Sequence, residues 1–260
     1  ASNAVTPATV PGASTNVTAI AGNARATVSW AAPSSTGGVE TTEYRVTANP
    51  GGQTVTVGGT TLTATVTGLS NGTSYTFVVT TINTVGVGAA SNGSNAVTPA
   101  TTPGAPTSVS ATAGNAQATV TWSAPVSDGG SPITAYTVTA SPTGGTYSWS
   151  SGALTETVTG LTNGGDYTFT VTATNSVGSG TASSASSAIT PATVPGAPTD
   201  VSATAGNGQA TITWSVPSSD GGSSITGYTV TASPGGATAS WSSGALTATV
   251  AGLTNGTAYT

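Results

Sequence analysis

Four residue types are missing from this chain: cysteine, histidine, methionine and lysine. Without cysteine no disulfide can form, and without cysteine or histidine there is no thiolate or imidazole to act as a base, nucleophile or metal ligand. Arg25 and Arg45 are the two basic residues, and the formal net charge is −5. This balance argues against a nucleic-acid partner, because affinity for phosphates comes mainly from lysine and arginine. No apolar run approaches the roughly 20 residues of a membrane-spanning helix.

Charge is scarce as well, since charged residues make up only 3% of the chain. A chain so poor in charge and so rich in serine and threonine could be disordered, but disordered chains are usually charged and poor in β-branched and aromatic residues. Here valine, isoleucine, threonine, tryptophan and tyrosine fall in alternating runs. This alternation predicts folded β structure.

An internal repeat organises the chain. Between Gly160 and Gly180, aromatic and aliphatic residues alternate with threonine, which is the two-residue period of a strand with one buried face. The same pattern recurs earlier and begins again at Gly252, so that a tyrosine appears every 92 residues, at Tyr75, Tyr167 and Tyr259. A fixed period of this kind predicts tandem copies of one domain.

The period divides the chain into three units, predicted at 6–97, 98–189 and 190–260. The third unit is incomplete at its C-terminal side, and residues 1–5 match the closing strand of the complete units. We therefore expect residues 1–5 to be the closing strand of a preceding domain and the chain to be cut from a longer array. Each unit opens with a proline-rich joint such as 98–107. Because proline fixes φ and restricts the residue before it, these joints are predicted to be extended, stiff and short.

Each complete unit is predicted to contain seven strands. In the second unit they are expected at 107–113, 116–123, 133–140, 146–150 and 154–159, followed by a central strand at Tyr167 and a final strand ending at Ile189. Breaks rich in glycine, proline and asparagine separate them roughly every 8–12 residues, as in an all-β sandwich. One tryptophan and one tyrosine recur in the second and third strands of every unit and are predicted to anchor its core: Trp30, Trp122, Trp214, Tyr44, Tyr136 and Tyr228.

Taken together, these residues resemble a tandem array of bacterial fibronectin type III domains from a larger extracellular or cell-surface repeat protein. The resemblance covers essentially the whole chain. It rests on five motifs: PGAP at 195–198, Trp214 followed by Pro217, ITGYTV at 225–230, GLTNG at 252–256 before Tyr259, and NSVG at 175–178. The two cysteines that flank a tryptophan in antibody-type domains are missing.

The resemblance implies seven-stranded, immunoglobulin-like β-sandwiches, with strands A, B and E in one sheet and C, C′, F and G in the other. It also implies that Tyr167 is the family's tyrosine corner, whose hydroxyl bonds to nearby backbone. The first unit departs from the pattern, because Val57 stands where the others hold Trp149 and Trp241, and because it alone contains arginine. The Arg-Gly-Asp tripeptide of some animal relatives is absent.

Candidates for catalysis and metal binding are few. Glu40 and Glu43 are the closest carboxylates and could form a glycosidase-like pair, but a solvated loop with Glu43 weakly paired to Arg45 is the simpler account. Asp128 and Asp220 each precede two glycines, which favours a turn. Calcium would need several oxygen ligands, and no Asp-x-Asp-x-Asp cluster exists. We therefore predict no catalytic residue, no metal site and no cofactor.

Three aromatic residues outside the strand-B core position form the candidate contact surface: Tyr147, Trp149 and Trp241. An exposed aromatic ring at a sheet edge could stack on a sugar ring or on a neighbouring chain. Alternatively, the ring folds over its own sheet or fills the joint to the adjacent unit.

Four asparagines fit the N-glycosylation pattern Asn-x-Ser/Thr: Asn16, Asn71, Asn92 and Asn255. The sequence Asn-Gly-Thr is also good turn chemistry. In a chain with so much serine, threonine and asparagine, chance matches are common, so a turn remains the competing interpretation.

Two functions are compatible with these features. The first is a non-catalytic rod-like spacer and protein–protein contact surface in a bacterial extracellular filament, stalk or adhesin, whose partners are copies of the chain, other surface proteins or glycans. The second, which the family resemblance implies, is a spacer in a secreted polysaccharide-degrading enzyme. Both predict an extracellular or cell-surface location. If the chain were a natural subunit, it could also polymerise by donating the strand at 1–5 to an incomplete third unit.

Overall fold

The computed structural model describes residues 6–142, 145–149 and 151–260, and every regular element named in those ranges is a β-strand. Within the same ranges, no helix is long and apolar enough to cross a membrane. The closing strand expected at 1–5 lies outside the described residues, as do 143–144 and residue 150, the last residue of the fourth strand predicted at 146–150 in the second unit.

The strands follow the 92-residue repeat. The first unit contains β1 (Thr15–Gly22), β2 (Arg25–Ala31), β3 (Thr41–Asn49), β4 (Thr54–Gly58), β5 (Thr63–Thr67), β6 (Thr76–Asn83) and β7 (Val87–Ala90). The second contains β8 (Thr107–Gly114), β9 (Gln117–Ser123), β10 (Ile133–Ser141), β11 (Thr146–Trp149), β12 (Thr155–Thr159), β13 (Thr168–Asn175) and β14 (Ser179–Ala182). The third contains β15 (Thr199–Gly206), β16 (Gln209–Ser215), β17 (Tyr228–Thr231), β18 (Thr238–Trp241) and β19 (Thr247–Ala251).

Each complete unit is built from two antiparallel sheets. In the first unit the strand orders are β1-β2-β5 and β4-β3-β6-β7, and in the second they are β8-β9-β12 and β11-β10-β13-β14. These orders place strands A, B and E in one sheet and C′, C, F and G in the other, so the predicted arrangement is confirmed. In the third unit the corresponding sheets are β15-β16-β19 and β17-β18.

The core lies between the sheets, and the central strand shows how the sequence creates it. Along β13, half-buried threonines alternate with the fully buried Phe169, Val171 and Ala173. Trp122 and Tyr167 are 6% and 5% exposed and belong to the same apolar cluster. The first unit contains the equivalent cluster. Burying each large apolar side chain contributes roughly 1.5–3 kcal/mol, so these residues stabilise the first and second units.

The end of the second unit differs from the continuous final strand that was expected. Beyond β14 the chain leaves regular ladder pairing, and Ile189 pairs with Tyr167 in an isolated bridge. Between them, the Ser183 and Ser186 hydroxyls accept hydrogen bonds from backbone N–H groups of β13 at 2.9 and 3.1 Å. Serine side chains thus replace part of the backbone ladder. We call residues 183–189 the closing segment.

Candidate contact surface and the joints between units

The predicted contact residues of the second unit lie on β11, the edge strand of its sheet. The Trp149 ring packs edge-on against Tyr136, with ring centroids 5.1 Å apart and an interplanar angle of 70°. Its indole N–H donates a hydrogen bond to the Ala153 carbonyl at 2.7 Å. The Tyr147 hydroxyl donates to the Thr159 carbonyl, also at 2.7 Å. Both side chains are half-buried, and their polar atoms bind to their own unit.

Trp241 is held in the same way in the third unit. Its ring centroid lies 5.2 Å from that of Tyr228, and its N–H donates to the Ala245 carbonyl at 2.8 Å. In the first unit, Val57 pairs with Tyr44 at the equivalent edge. Each tryptophan therefore folds over its own sheet and leaves part of its ring exposed. A contact between that exposed part and a partner stays a prediction.

The acidic candidates belong to three different units, and Asp220 lines the same surface cavity as Trp241. Glu40 and Glu43 are both exposed, and Glu43 lies on β3. Asp128 and Asp220 each accept a hydrogen bond from the backbone N–H two residues later, at 2.8 and 2.9 Å, as in an Asx turn. In the part of the chain that the structure describes, no group of three or more histidine, cysteine or acidic side chains is placed to hold a metal ion.

The four candidate glycosylation asparagines fall into two kinds of position. The side chain of Asn71 joins two turns, because it accepts a hydrogen bond from the Ala24 N–H and donates one to Asn23, both at 2.8 Å. Asn255 makes the equivalent pair of bonds in the third unit. Asn16 and Asn92 are exposed. The Asn71 and Asn255 side chains therefore have a structural role as turn residues, and modification stays a prediction.

Sequence reasoning did not assign a role to Asn175, which is 4% exposed at the end of β13. Its amide group donates to the carbonyls of Thr101 and Asp128, each at 2.7 Å. Its carbonyl oxygen accepts from the N–H groups of Val177 and Gly178 at 2.9 and 3.2 Å. One side chain thus ties together the joint, the loop after β9 and the turn after β13. The signal was the recurring Asn-x-Val-Gly, which is also present at 83–86, where Asn83 makes the same four bonds.

The joint between the first two units is bound to the unit that follows it. The N–H of Thr101 donates to the Gly129 carbonyl at 2.8 Å, and that of Gly104 donates to the Ser127 carbonyl at 2.9 Å. At the next joint, the equivalent bonds have the same lengths, from Thr193 to Gly221 and from Gly196 to Ser219. The joint is therefore a backbone-paired segment.

The joint is also bound to the unit that precedes it. The N–H of Gly72, in the turn before β6, donates to the Pro99 carbonyl at 2.9 Å. Gly164 makes the same bond to Pro191 at the second joint, again at 2.9 Å. Each joint consequently contacts both of its neighbours, and it does so with the same atoms 92 residues apart.

A tyrosine hydroxyl closes the turn that contains Gly72 in the first unit and Gly164 in the second. The Tyr75 hydroxyl accepts a hydrogen bond from the Ser70 N–H at 3.1 Å, and the Tyr167 hydroxyl accepts one from the Thr162 N–H at 3.0 Å. This is the arrangement that the tyrosine-corner resemblance implies. In the third unit, the bond from the Thr254 backbone lowers the pKa of the Tyr259 phenol, whereas burial raises the pKa of the Tyr136 phenol in the core.

A comparison with models of protein families agrees with this architecture. A model of the fibronectin type III domain matches residues 10–97, 104–189 and 196–260. Solved structures similar to the chain include the FN1–FN3 domains of chicken CNTN1, at 19% sequence identity and a TM-score of 0.42, over 94% of this chain and 89% of that chain. No curated protein matches the chain. Since the family model covers most of three successive sandwiches, this chain belongs to the fibronectin type III family.

Proposed function

We propose that this chain is a non-catalytic spacer that holds other parts of a bacterial extracellular filament, stalk or adhesin at a fixed separation. Fibronectin type III repeats are typically structural modules, generally without catalytic activity, and are common in extracellular proteins. The observation that carries the proposal is the pair of joints, each hydrogen-bonded to the unit before it and to the unit after it.

The dimensions and composition of the units support this function. Strands of eight or nine residues, such as β8 and β10, span roughly 25–30 Å, which is the length that each unit adds to a rod. Apolar packing and backbone pairing hold each unit together without a disulfide, so its stability does not depend on the redox state of its surroundings.

The partly exposed rings of Trp149 and Trp241 provide the proposed contact surface of the rod. They recur at equivalent edge positions of two successive units, so a partner with the same repeat could contact both. Copies of this chain or other surface proteins are the partners we propose. A glycan is the alternative ligand for these rings, because an aromatic face can stack on a sugar ring.

Small-angle X-ray scattering of the full chain tests the spacer function. We expect an elongated particle whose maximum dimension increases by roughly 25–30 Å for every complete unit added to the chain. A compact particle, with the units folded side by side, would contradict the proposal. Immunogold labelling of the producing cells then tests the location, and label that is absent from the surface and its filaments would contradict the filament, stalk or adhesin role.

A spacer between the parts of a secreted polysaccharide-degrading enzyme is the second candidate. An enzyme-linked spacer and a filament share the geometry of the joints, but they differ in what the chain is attached to. Isolation of the native protein with antibodies against this chain separates the two. Co-purified glycoside hydrolase activity would favour the enzyme, and long polymers of repeats without that activity would favour the filament.

A further inference from the structure

The two joints contain a backbone contact between glycines of successive units. The first partner is the Asn-Gly turn before the central strand, at 71–72 in the first unit and 163–164 in the second. The second partner is the Gly-Gly turn after β9 or β16, at 129–130 and 221–222. We call the meeting of these two turns the glycine contact.

The glycine contact is too close for any side chain on its second member. A Cβ placed on Gly130 would lie 2.6 and 2.7 Å from the carbonyl carbon and the Cβ of Asn71, which is closer than carbon atoms can approach. At the second joint, a Cβ on Gly222 would lie 2.7 and 2.8 Å from the same atoms of Asn163. Seen from the other side, a Cβ on Gly72 or Gly164 would lie 3.2 Å from the facing glycine Cα.

The two joints therefore agree within 0.1 Å in these three approaches, although 92 residues separate them. Backbone atoms in direct contact leave little room for one unit to rotate against the other, since any inward rotation produces a steric clash. The glycine N–H of the Asn-Gly turn donates a hydrogen bond of 2.9 Å to a proline carbonyl of the joint, Pro99 or Pro191, and this bond opposes outward rotation.

From this geometry we infer that the Asn-Gly turn of each unit is a docking surface for the Gly-Gly turn of the next repeat, and that this contact fixes the angle between them. The partner of the surface is a second copy of the same domain. The inference deepens the proposed spacer function. Its biological purpose rests on that function, but the fixed angle itself does not, because a spacer could also work with freely hinged units.

The test measures the angle through distances between spin labels. The chain contains no cysteine, so two introduced cysteines can be labelled without side reactions. Three exposed, repeat-equivalent positions on the second strands serve as label sites: Ser29, Thr121 and Thr213. The pair Ser29→Cys with Thr121→Cys spans the first joint, and the pair Thr121→Cys with Thr213→Cys spans the second.

Pulsed electron–electron double resonance on the two spin-label pairs is expected to give narrow distance distributions with the same mean, because both joints have the same geometry. Broad distributions, or narrow ones with different means, would overturn the inference. This comparison needs no change at a glycine, so it does not depend on how well a glycine variant folds.

Gly130→Ala then tests the contact itself, and Gly38→Ala is its matched control. The two glycines occupy the same position of the repeat and share a φ of +85°, so alanine is equally strained at both. A Cβ on Gly38 would face Pro7 and Ala8 of its own unit, at 3.2 and 3.9 Å. We expect Gly130→Ala to broaden or shift the distance distribution across the first joint and Gly38→Ala to leave it unchanged. The same effect, or no effect, in both variants would overturn the inference.

The outcome for the spacer function is separate. Broad distributions of label distances together with an elongated scattering profile would contradict the fixed angle and still agree with the spacer function. A compact scattering profile would remove the spacer function even if the label distances were narrow.

Discussion

Asn175 donates a side-chain hydrogen bond of 2.7 Å to the carbonyl oxygen of Thr101, 74 residues earlier in the chain. Thr101 belongs to the joint, and Asn175 ends the central strand of the core. This bond connects the path of the joint to the most deeply buried strand of the unit. The orientation of the joint therefore depends on a residue that lies far from it in sequence.

Replacing this residue should weaken the unit and loosen its joint together. In Asn175→Ala, the carbonyls of Thr101 and Asp128 lose their donor and the Val177 N–H loses its acceptor, whereas the Gly178 N–H keeps the backbone carbonyl of residue 175. We expect the free energy of unfolding of the second unit to fall by about 2–3 kcal/mol. Hydrogen exchange in peptides from 98–104 should accelerate, and exchange in the third unit should not. Unchanged exchange in 98–104, or equal acceleration in 98–104 and in the third unit, would contradict this role.

The tyrosine corner offers a second test, because Tyr167→Phe removes only one oxygen atom. The Thr162 N–H then loses its acceptor, and the unit should be destabilised by about 1–2 kcal/mol in urea unfolding. Tyr75→Phe should have a similar effect on the first unit, since the geometry is the same. A neutral result in both variants would contradict a stabilising role for the hydroxyl at this turn.

The first unit provides a natural model for changing the aromatic edge. Because Val57 occupies this edge position there, Trp149→Val should preserve the fold of the second unit. The loss of the ring contact with Tyr136 and of the bond to Ala153 should lower the unfolding free energy by about 1–2 kcal/mol. Any binding of partner or glycan to the edge should also decrease, as measured by surface plasmon resonance. Unchanged binding would exclude Trp149 from the contact surface.

The scarcity of basic residues predicts resistance to trypsin. Both cleavage sites lie in paired strands, with Arg25 at the start of β2 and Arg45 in the middle of β3 between β4 and β6. A protease needs an extended, unpaired segment, so the native chain should remain intact under conditions that cut the urea-unfolded chain at both arginines. Gel electrophoresis over a time course measures this. Rapid cleavage of the native chain would argue against a packed array.

The sequence was sufficient for the parts of the fold that depend on local pattern. Alternation around Phe169 and Val171 predicted β13 and its buried face, because side chains on a strand point to opposite sides. Trp122 and Tyr136 are predicted to lie in the core because a tryptophan and a tyrosine recur at these strand positions in every unit. These features need only the local pattern of a strand and its repetition along the chain.

The features that sequence reasoning missed depend on residues far apart. Ser183 and Ser186 are compatible with an ordinary strand, and only their place beside β13 makes the hydroxyls part of the ladder. Likewise, the aromatic pattern could not decide between an exposed and a folded-over Trp149, because that depends on the space beside Tyr136. The sequence indicates only a turn at Gly130, because its contact with Asn71 of the preceding unit depends on how the two units are placed.

The closing segment has a consequence for an array under tension. It runs directly into the next joint, so a pull on that joint reaches the bridge between Ile189 and Tyr167 first and the bonds of Ser186 and Ser183 next. We expect the closing segment to detach from β13 before the strands of the sandwich separate, and single-molecule force spectroscopy would record this as a gain in length ahead of the main unfolding event.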